Sequence, residues 1–261
     1  MILQCKTDVL PEPQKALWSQ LKDVPEQYVL YGGTAVALRY GHRNSVDFDF
    51  FSTDRSDIDS LTKNLPFIVN NPPLDEFLKY NDGESRHVFS HKHIDYYLEP
   101  LQGAKSFDPE DPEKTVVKVT FANDENLIAG AINSPDKALG NGIKIASPLD
   151  LLAAKILAMD RRSQERDFVD VAELIKRGTS LQKGFEAAFA ISKLSPLGKN
   201  RIRYGVLKED FKSKTIHSML PNNPECAEII REAAAKLDID KMMKTRLKAE
   251  PVNFKQIGMG R

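Results

Sequence analysis

The first half of the chain alternates strand-like and helix-like patterns of apolar residues. Runs that are apolar throughout, or apolar at every second position, predict strands over residues 28–31, 46–51, 87–98 (one strand or a hairpin) and 115–121. Apolar residues at three-to-four spacing predict helices over residues 13–21 and 34–40. Gly32 and Gly33 follow the first strand, and Gly41 ends the second helix. Strands that alternate with helices favour an α/β or α+β sheet domain.

The second half changes to a helical period. Apolar residues recur at three-to-four spacing over residues 148–159, 164–176, 181–193 and 224–237. Ser147 is a good N-cap for the first of these helices, and Pro148 suits its first turn. The change of pattern predicts two domains, an α/β domain over residues 1–146 and a helical domain over residues 147–261.

The composition is that of an ordinary globular protein and does not indicate a particular binding partner. Hydrophobic residues make up 41% of the 261 residues and charged residues 28%, as in ordinary globular proteins. Lys plus Arg equals Asp plus Glu at 37 each, so the net charge does not attract a polyanion. A local basic patch is compatible with this balance. Cys5 and Cys226 lack metal-ligand spacing, which suits free thiols in a reducing compartment.

No membrane partner is expected from the sequence. The amino terminus lacks a basic start followed by a long apolar segment, so a secretory signal is not predicted. The most apolar helical run, residues 149–159, contains Asp150 and Lys155 and is too short to span a bilayer. The cytoplasm is therefore the expected location.

Two aspartates on the strand over residues 46–51 are the first candidates for chemistry. On a strand, Asp47 and Asp49 project from one face, and Phe48 and Phe50 from the other. The aspartates are then about 6.5–7 Å apart along the backbone, so their oxygens can converge on one hard cation such as Mg²⁺. The alternative is a half-exposed strand with a polar outer face.

The two glycines before the short helix suggest a phosphate cradle. Backbone N–H groups at Gly32 and Gly33 lie where a helix begins, and the Thr34 hydroxyl follows them. The alternative is a plain tight turn. His42 and Arg43 precede the D-x-D strand and are candidates for contacting phosphate or nucleic acid, since arginine suits bidentate phosphate contacts. For these two residues the alternative is a solvated turn.

Three histidines raise the question of a zinc site. His87, His91 and His93 fall on the predicted strand over residues 87–98. Zinc prefers four ligands, but no fourth is evident nearby and the cysteines are distant in sequence. A partly exposed polar strand face is the favoured interpretation.

The combined motif resembles the nucleotide-binding motif of the DNA polymerase β-like nucleotidyltransferase superfamily. The string GGTAVALRYGHRNSVDFDFF, residues 32–51, is similar to one branch, the AbiEii/AbiGii toxin family of nucleotidyltransferase-like proteins. The resemblance implies an α+β fold, with a mixed sheet, flanking helices and a helical domain that closes the cleft. It also implies Mg²⁺ (or Mn²⁺) held by Asp47 and Asp49, with an NTP as substrate.

The same resemblance implies a third carboxylate from a later strand. Asp95, in SHKHIDYYLEP, is the candidate metal ligand and catalytic residue, with Glu99 as the alternative. A carboxylate near the attacking hydroxyl helps to lower its pKa and accepts its proton. Spacing alone does not assign this role.

A later segment, K…RDFVD, also resembles the toxin family. The resemblance implies that Lys155 and Asp167 are catalytic residues lining the cleft, with Lys155 contacting phosphates. The residues themselves leave other interpretations open: a snorkelling Lys155, and Asp167 and Asp170 compensating a helix start and pairing with Lys155 or Arg166. The nearby basic residues that suit nucleotide or RNA phosphates are Arg161, Arg162 and Arg166.

These features predict a metal-dependent nucleotidyltransferase that moves an NMP from an NTP to a hydroxyl and releases pyrophosphate. The family resemblance points to a toxin of a toxin–antitoxin or phage-defence pair, with RNA (including tRNA) as acceptor and a cognate antitoxin as partner. Two alternatives remain: a nucleotide-binding protein without turnover, and a small-molecule enzyme like the aminoglycoside nucleotidyltransferases. The resemblance does not extend beyond residue 180.

Overall fold

A seven-stranded mixed sheet organises the part of the protein that the structure describes. The structure is a computed structural model that describes residues 1–53, 64–70, 93–98, 117–123, 133–161, 164–194 and 215–238. Its strands are β1 (Ile2–Leu3), β2 (Val29–Tyr31), β3 (Asp47–Ser52), β4 (His93–Leu98), β5 (Val117–Asn123), β6 (Asp136–Ala138) and β7 (Lys144–Ile145). They lie in the order β1-β6-β7-β2-β3-β5-β4. Pairs β1–β6, β7–β2 and β3–β5 are parallel, and the others are antiparallel.

Helices flank this sheet and dominate the second half of the chain. They are α1 (Glu12–Trp18), α2 (Gly32–Tyr40), α3 (Pro66–Asn70), α4 (Pro148–Arg161), α5 (Glu165–Lys176), α6 (Leu181–Leu194), α7 (Thr215–Met219) and α8 (Pro224–Ala235). Two 3₁₀ turns cover Thr7–Val9 and Gln20–Asp23. The α+β prediction is therefore confirmed. None of the helices within the described ranges is long and apolar enough to cross a bilayer.

One predicted helix differs from the observed one, and one predicted strand lies partly outside the described residues. The helix expected over residues 13–21 ends at Trp18 and continues as the 3₁₀ turn, whose Leu21 is fully buried. Of the strand expected over residues 87–98, the described part is His93–Leu98, and residues 87–92 lie outside the described residues.

Aromatic side chains fix the register of β3. Phe48 and Phe50 are fully buried, whereas Asp47 and Asp49 are half-buried on the opposite face. The Phe50 ring stacks on Phe121 of β5 with centroids 5.3 Å apart. Because a shift of one residue would move both phenylalanines to the other face, the core holds the two aspartates where they are. The predicted alternation of this strand is confirmed.

The helical half packs against the sheet through α2. Helix α4 begins at the predicted cap, where the backbone N–H of Asp150 donates to Ser147 Oγ at 3.2 Å. Helix α6 approaches α4 closely at Gly184, because a Cβ atom there would overlap the side chain of Leu152. Helix α2 contacts both α4 and α5, so the two predicted domains meet along α2. Their boundary at residue 146 stays a prediction.

Candidate functional site

The D-x-D strand begins beside the glycine turn. Strand β2 runs antiparallel to β3, with Tyr31 opposite Asp49, and α2 begins at Gly32, the next residue. The carboxylates of Asp47 and Asp49 therefore lie next to the turn that leads into α2. The structure brings together the two groups of residues that the sequence motif suggested, a carboxylate pair and a helix start.

Both glycines of the turn are needed for close approach. Gly32 has φ 74°, and a Cβ atom there would overlap Asp49 Oδ2. A Cβ atom on Gly33 would overlap Arg43 Nη2. The turn thus lies between a carboxylate and a guanidinium group, and larger residues would displace one or the other.

Replacing Gly32 with alanine is expected to impair the site as well as the fold. The left-handed backbone costs about 1–2 kcal/mol for a residue with a Cβ atom, and the added methyl group also displaces Asp49. Gly142 is a matched control, because it has the same φ of 74° and nothing within 4 Å of its added Cβ atom. Urea unfolding should show a loss of stability for both variants, at least as large for Gly32→Ala, while the nucleotide transfer expected from the motif falls only in Gly32→Ala. Equal transfer by the two variants would contradict the contact with Asp49.

The start of β3 is held by polar side chains beneath it. The Thr34 hydroxyl is buried, donates to the backbone oxygen of Asp47, and lies 2.8 Å from Ser45 Oγ. Gln14 Nε2 of α1 donates to the backbone oxygen of Val46 at 2.8 Å. These contacts give Thr34 a role in positioning Asp47. A direct contact of its hydroxyl with nucleotide stays a prediction. Nothing in the local sequence distinguishes Gln14, which the motif analysis missed.

A cluster of charged side chains joins the loop before β3 to the helical half. We call it the Asp170 cluster, and it consists of His42, Arg43, Lys155, Asp167 and Asp170. Asp170 is fully buried and accepts from Arg43 Nε at 2.7 Å and Nη2 at 2.8 Å. His42 Nε2 lies 2.7 Å from Asp170 Oδ1, and Lys155 Nζ lies 2.6 Å from Asp170 Oδ2. Lys155 Nζ also donates to Asp167 Oδ1 at 2.9 Å.

The environment of Asp170 keeps its carboxylate ionised. Burial raises the pKa of this group, but the hydrogen bonds from His42 and Arg43 and the charge of Lys155 more than compensate. The net pKa of Asp170 lies well below its usual range. A buried carboxylate that faces three basic side chains fixes their positions as well as its own charge.

The cluster decides between several interpretations of the sequence. His42 and Arg43 do not form a solvated turn, because both bind Asp170. Lys155 is largely buried and bridges Asp167 and Asp170, which is the ion pairing considered for the two aspartates. Contact of Lys155 and Arg43 with phosphate stays a prediction.

Among the other basic candidates of this segment, Arg166 lies apart from the cluster. Arg166 donates to Gln164 at 2.8 Å on the exposed surface. The side chains of Arg161 and Arg162 lie outside the described residues.

The register of the sheet places Asp95 two strands from Asp49. Asp49 pairs with Thr120 of β5, and Thr120 pairs with Asp95 of β4, so the three residues share one row and one face. The side chain of Asp95 lies outside the described residues, as do Glu99 and the side chains of the predicted histidines. Its roles as third metal ligand and proton acceptor remain predictions.

The carboxylate pair suits a hard divalent cation. Carboxylate oxygens are ligands that Mg²⁺ and Mn²⁺ prefer. The Asp49 carboxylate lies so close to the Gly32 backbone that a Cβ atom on Gly32 would overlap it. Within the described ranges, no group of three or more His, Cys, Asp or Glu side chains could hold a metal ion. The side chains of His87, His91 and His93 lie outside the described residues, so the preference for a polar strand face over a zinc site stays a prediction. Cys5 and Cys226 are free thiols, as predicted.

The mixed sheet, the glycine turn and the D-x-D strand together define a nucleotidyltransferase-type fold. The chain belongs to the nucleotidyl transferase AbiEii toxin family of type IV toxin–antitoxin systems, whose model matches residues 16–252. The resemblance to this family is thereby confirmed. Its expected limit at residue 180 is wrong, because the match continues to residue 252.

Two solved structures and one curated relative are similar to this chain. MenT4, a nucleotidyltransferase toxin of Mycobacterium tuberculosis, aligns over 89% of this chain and 85% of its own at 14% identity and a TM-score of 0.54. A nucleotidyltransferase-like protein of H. pylori aligns over 92% of this chain and 96% of its own at 18% identity and a TM-score of 0.47. An uncharacterized protein of Aquifex aeolicus is 27% identical over 150 residues, and the match spans 58% of its length.

Proposed function

We propose that this protein transfers an NMP from an NTP to a hydroxyl of RNA, tRNA included, with Mg²⁺ or Mn²⁺ as cofactor. The observation that carries the proposal is the contact of the Gly32–Gly33 turn with the carboxylate of Asp49. It brings a helix start, which favours phosphate, to a carboxylate pair, which favours a divalent cation. In this proposal, the helical segment from residue 147 closes the cleft over the nucleotide.

Each part of the site has a role in this reaction. Asp47, Asp49 and Asp95 would hold the divalent cation, which neutralises charge on the reacting phosphates. Backbone N–H groups at Gly32 and Gly33 orient the triphosphate, and Thr34 keeps Asp47 in place through its backbone oxygen. The acceptor oxygen attacks the α-phosphorus, the bond from that phosphorus to the bridging oxygen breaks, and pyrophosphate leaves. Asp95 accepts the proton of the attacking hydroxyl.

The Asp170 cluster supports the phosphate-binding side of the site. The Arg43 guanidinium lies against Gly33 and its side chain keeps 20% of its surface exposed, which leaves it able to contact a phosphate at the turn. Lys155 adds a second positive charge, and Asp167 and Asp170 hold it in position. Fixed cations at the site where negative charge accumulates stabilise the transition state without the cost of reorganisation.

Membership of a toxin family suggests the biological setting. We propose that the protein is the toxin of a toxin–antitoxin or phage-defence pair, held inactive by a cognate antitoxin. The reaction draws on cellular NTPs and RNA, and the free thiols suit the reducing cytoplasm.

Label transfer tests the proposal directly. The purified protein is incubated with Mg²⁺, either total RNA or an aminoglycoside, and each of the four α-³²P-labelled NTPs in turn, with and without EDTA. Label on RNA from at least one NTP, lost with EDTA, is the expected result. NTP binding without transfer to RNA or to an aminoglycoside would instead support a nucleotide-binding protein. Transfer to the aminoglycoside alone would support the small-molecule enzyme.

A further inference from the structure

Strand β5 places a lysine beside the carboxylate pair. The sheet register pairs Asp47 with Lys118 of β5, and Lys118 in turn with Tyr97 of β4. Neighbouring strands are about 4.8 Å apart, so Lys118 is the immediate neighbour of Asp47 within its row. The next row contains Asp49, Thr120 and Asp95 in the same way.

The burial pattern of β5 shows which face Lys118 occupies. Val117, Val119 and Phe121 are fully buried in the core, so the residues between them belong to the other face. Lys118 is half-buried on that other face, which is also the face of Asp47. The alternation V-K-V-T-F is visible in the sequence, but only the register shows that Lys118 lies next to a D-x-D aspartate.

The position of Lys118 relative to the glycine turn distinguishes it from Arg43 and Lys155. The turn follows β2, which pairs with one edge of β3, whereas Lys118 is on β5, which pairs with the other edge. Lys118 therefore lies on the side of the carboxylate pair away from the turn. Asp95 lies on that same side, one strand further.

We propose that Lys118 binds a backbone phosphate of the acceptor RNA and so holds the acceptor hydroxyl over the carboxylates. This inference rests on the proposed function, which places the triphosphate at the turn and the acceptor on the side of Asp95. A lysine ammonium binds phosphate as a point charge, and a half-buried one is screened less by salt than one on the open surface. The same charge repels a cationic acceptor such as an aminoglycoside, so it also selects the class of acceptor.

The test compares Lys118→Met with Lys118→Arg and a control, Lys22→Met. Lys22 is exposed in the 3₁₀ turn after α1, and the Trp18 ring of α1 stacks on Phe48 on the core face of β3, away from the carboxylates. Binding of fluorescein-labelled bulk tRNA is followed by anisotropy between low and moderate KCl. NTP affinity is measured by calorimetry, and KM and kcat for both substrates by label transfer.

The expected result for Lys118→Met is an RNA affinity about five- to tenfold weaker at low salt. The slope of log affinity against log salt should fall by about 0.7–0.9, as expected for the loss of one phosphate contact. KM for RNA should rise in proportion, with NTP affinity unchanged, and kcat should fall where the acceptor hydroxyl loses its position over the carboxylates. Lys118→Arg should restore both RNA affinity and the slope, and Lys22→Met should match the unaltered protein.

Three outcomes would overturn the inference in distinguishable ways. Equal RNA affinity and salt slope in Lys118→Met and Lys22→Met would refute the contact with RNA while leaving the proposed function standing. Weaker NTP or Mg²⁺ binding with unchanged RNA affinity would make Lys118 a counter-charge for the aspartates instead. No RNA binding by the unaltered protein would overturn both this inference and the RNA acceptor of the proposed function.

Discussion

Replacing Asp47 and Asp49 together with asparagine is expected to reduce nucleotide transfer by about a thousandfold or more. Charge stabilisation by a metal is worth several kcal/mol in the transition state, and each 1.36 kcal/mol is a factor of ten in rate. Asparagine keeps the shape of the side chain but provides a much weaker ligand for a hard cation. The loss should therefore be in kcat as well as in metal affinity.

The fold should survive this double replacement. Phe48 and Phe50 anchor β3 from the opposite face, and neither change touches them. Removing two neighbouring like charges relieves their repulsion, so the metal-free variant should unfold at the same urea concentration or a higher one.

Thermal unfolding with and without Mg²⁺ then reports on the metal itself. A ligand that binds the folded state raises Tm, and this rise should disappear in the double variant. Asp23→Asn, an exposed change in the 3₁₀ turn after α1, is the control and should keep both the transfer activity and the shift in Tm. Undiminished transfer by the double variant would refute the assignment of these two residues.

Replacing Asp170 with asparagine is expected to destabilise the protein by about 3–5 kcal/mol. Removing one partner of a buried ion pair leaves the other charges uncompensated, and here the partners are Arg43, Lys155 and His42. Since domains are stable by only about 5–15 kcal/mol, the change should lower Tm strongly. Transfer should also fall where the variant is folded, because Arg43 and Lys155 lose their common anchor.

A neighbouring ion pair on the same helix provides the control. Glu173 accepts from Arg177 Nε at 2.7 Å, but the Arg177 side chain is 51% exposed. Glu173 is buried, but Arg177 keeps its contact with water when Glu173 loses its charge, so Glu173→Gln should cost less than Asp170→Asn in urea unfolding. Similar costs for the two variants would show that the Asp170 cluster does not carry the stability assigned to it.

The pH dependence of stability separates the charge of Asp170 from its packing. Its pKa is lower in the folded protein than in the unfolded chain, so the unfolded chain binds the proton first as the pH falls. The contribution of Asp170 is fully present above the unfolded value of about 3.9 and is lost as the pH falls below it. The loss of stability between neutral and acid pH should therefore be smaller in Asp170→Asn than in the unaltered protein.

The region around the glycine turn could be predicted because its signals are local. Glycines mark the turn, and the alternation of aspartate and phenylalanine gives both the strand and its two faces. Strands β1, β6 and β7 contain two or three residues each and have no period to detect. Pairing with neighbouring strands of the sheet determines these short strands, so their local sequence does not predict them.

The hydrogen bonds and ion pairs of the candidate site join distant parts of the chain, so the sequence alone could not predict which of them form. The pair His42–Asp170 joins residues separated by 128 positions, and no local pattern encodes it. The sequence allows Lys155 either to contact phosphate or to form ion pairs, and the structure shows its ion pairs with Asp167 and Asp170. The motif predicts a nucleotide contact for the Thr34 hydroxyl, and in the structure this hydroxyl donates a hydrogen bond to the backbone oxygen of Asp47 in β3. Which group satisfies a polar side chain is decided by packing.

The alternation along β3 also limits how this chain can change over evolution or in engineering. A single inserted or deleted residue between Gly41 and Asp47 would leave the register of β3 intact but would shift His42 and Arg43 relative to Asp170. The same indel between Asp47 and Phe50 would exchange the two faces beyond it, moving a carboxylate into the core and a phenylalanine out of it. Functional and structural damage coincide within that segment, so variants with an altered length there should disappear from a library selected for folding alone.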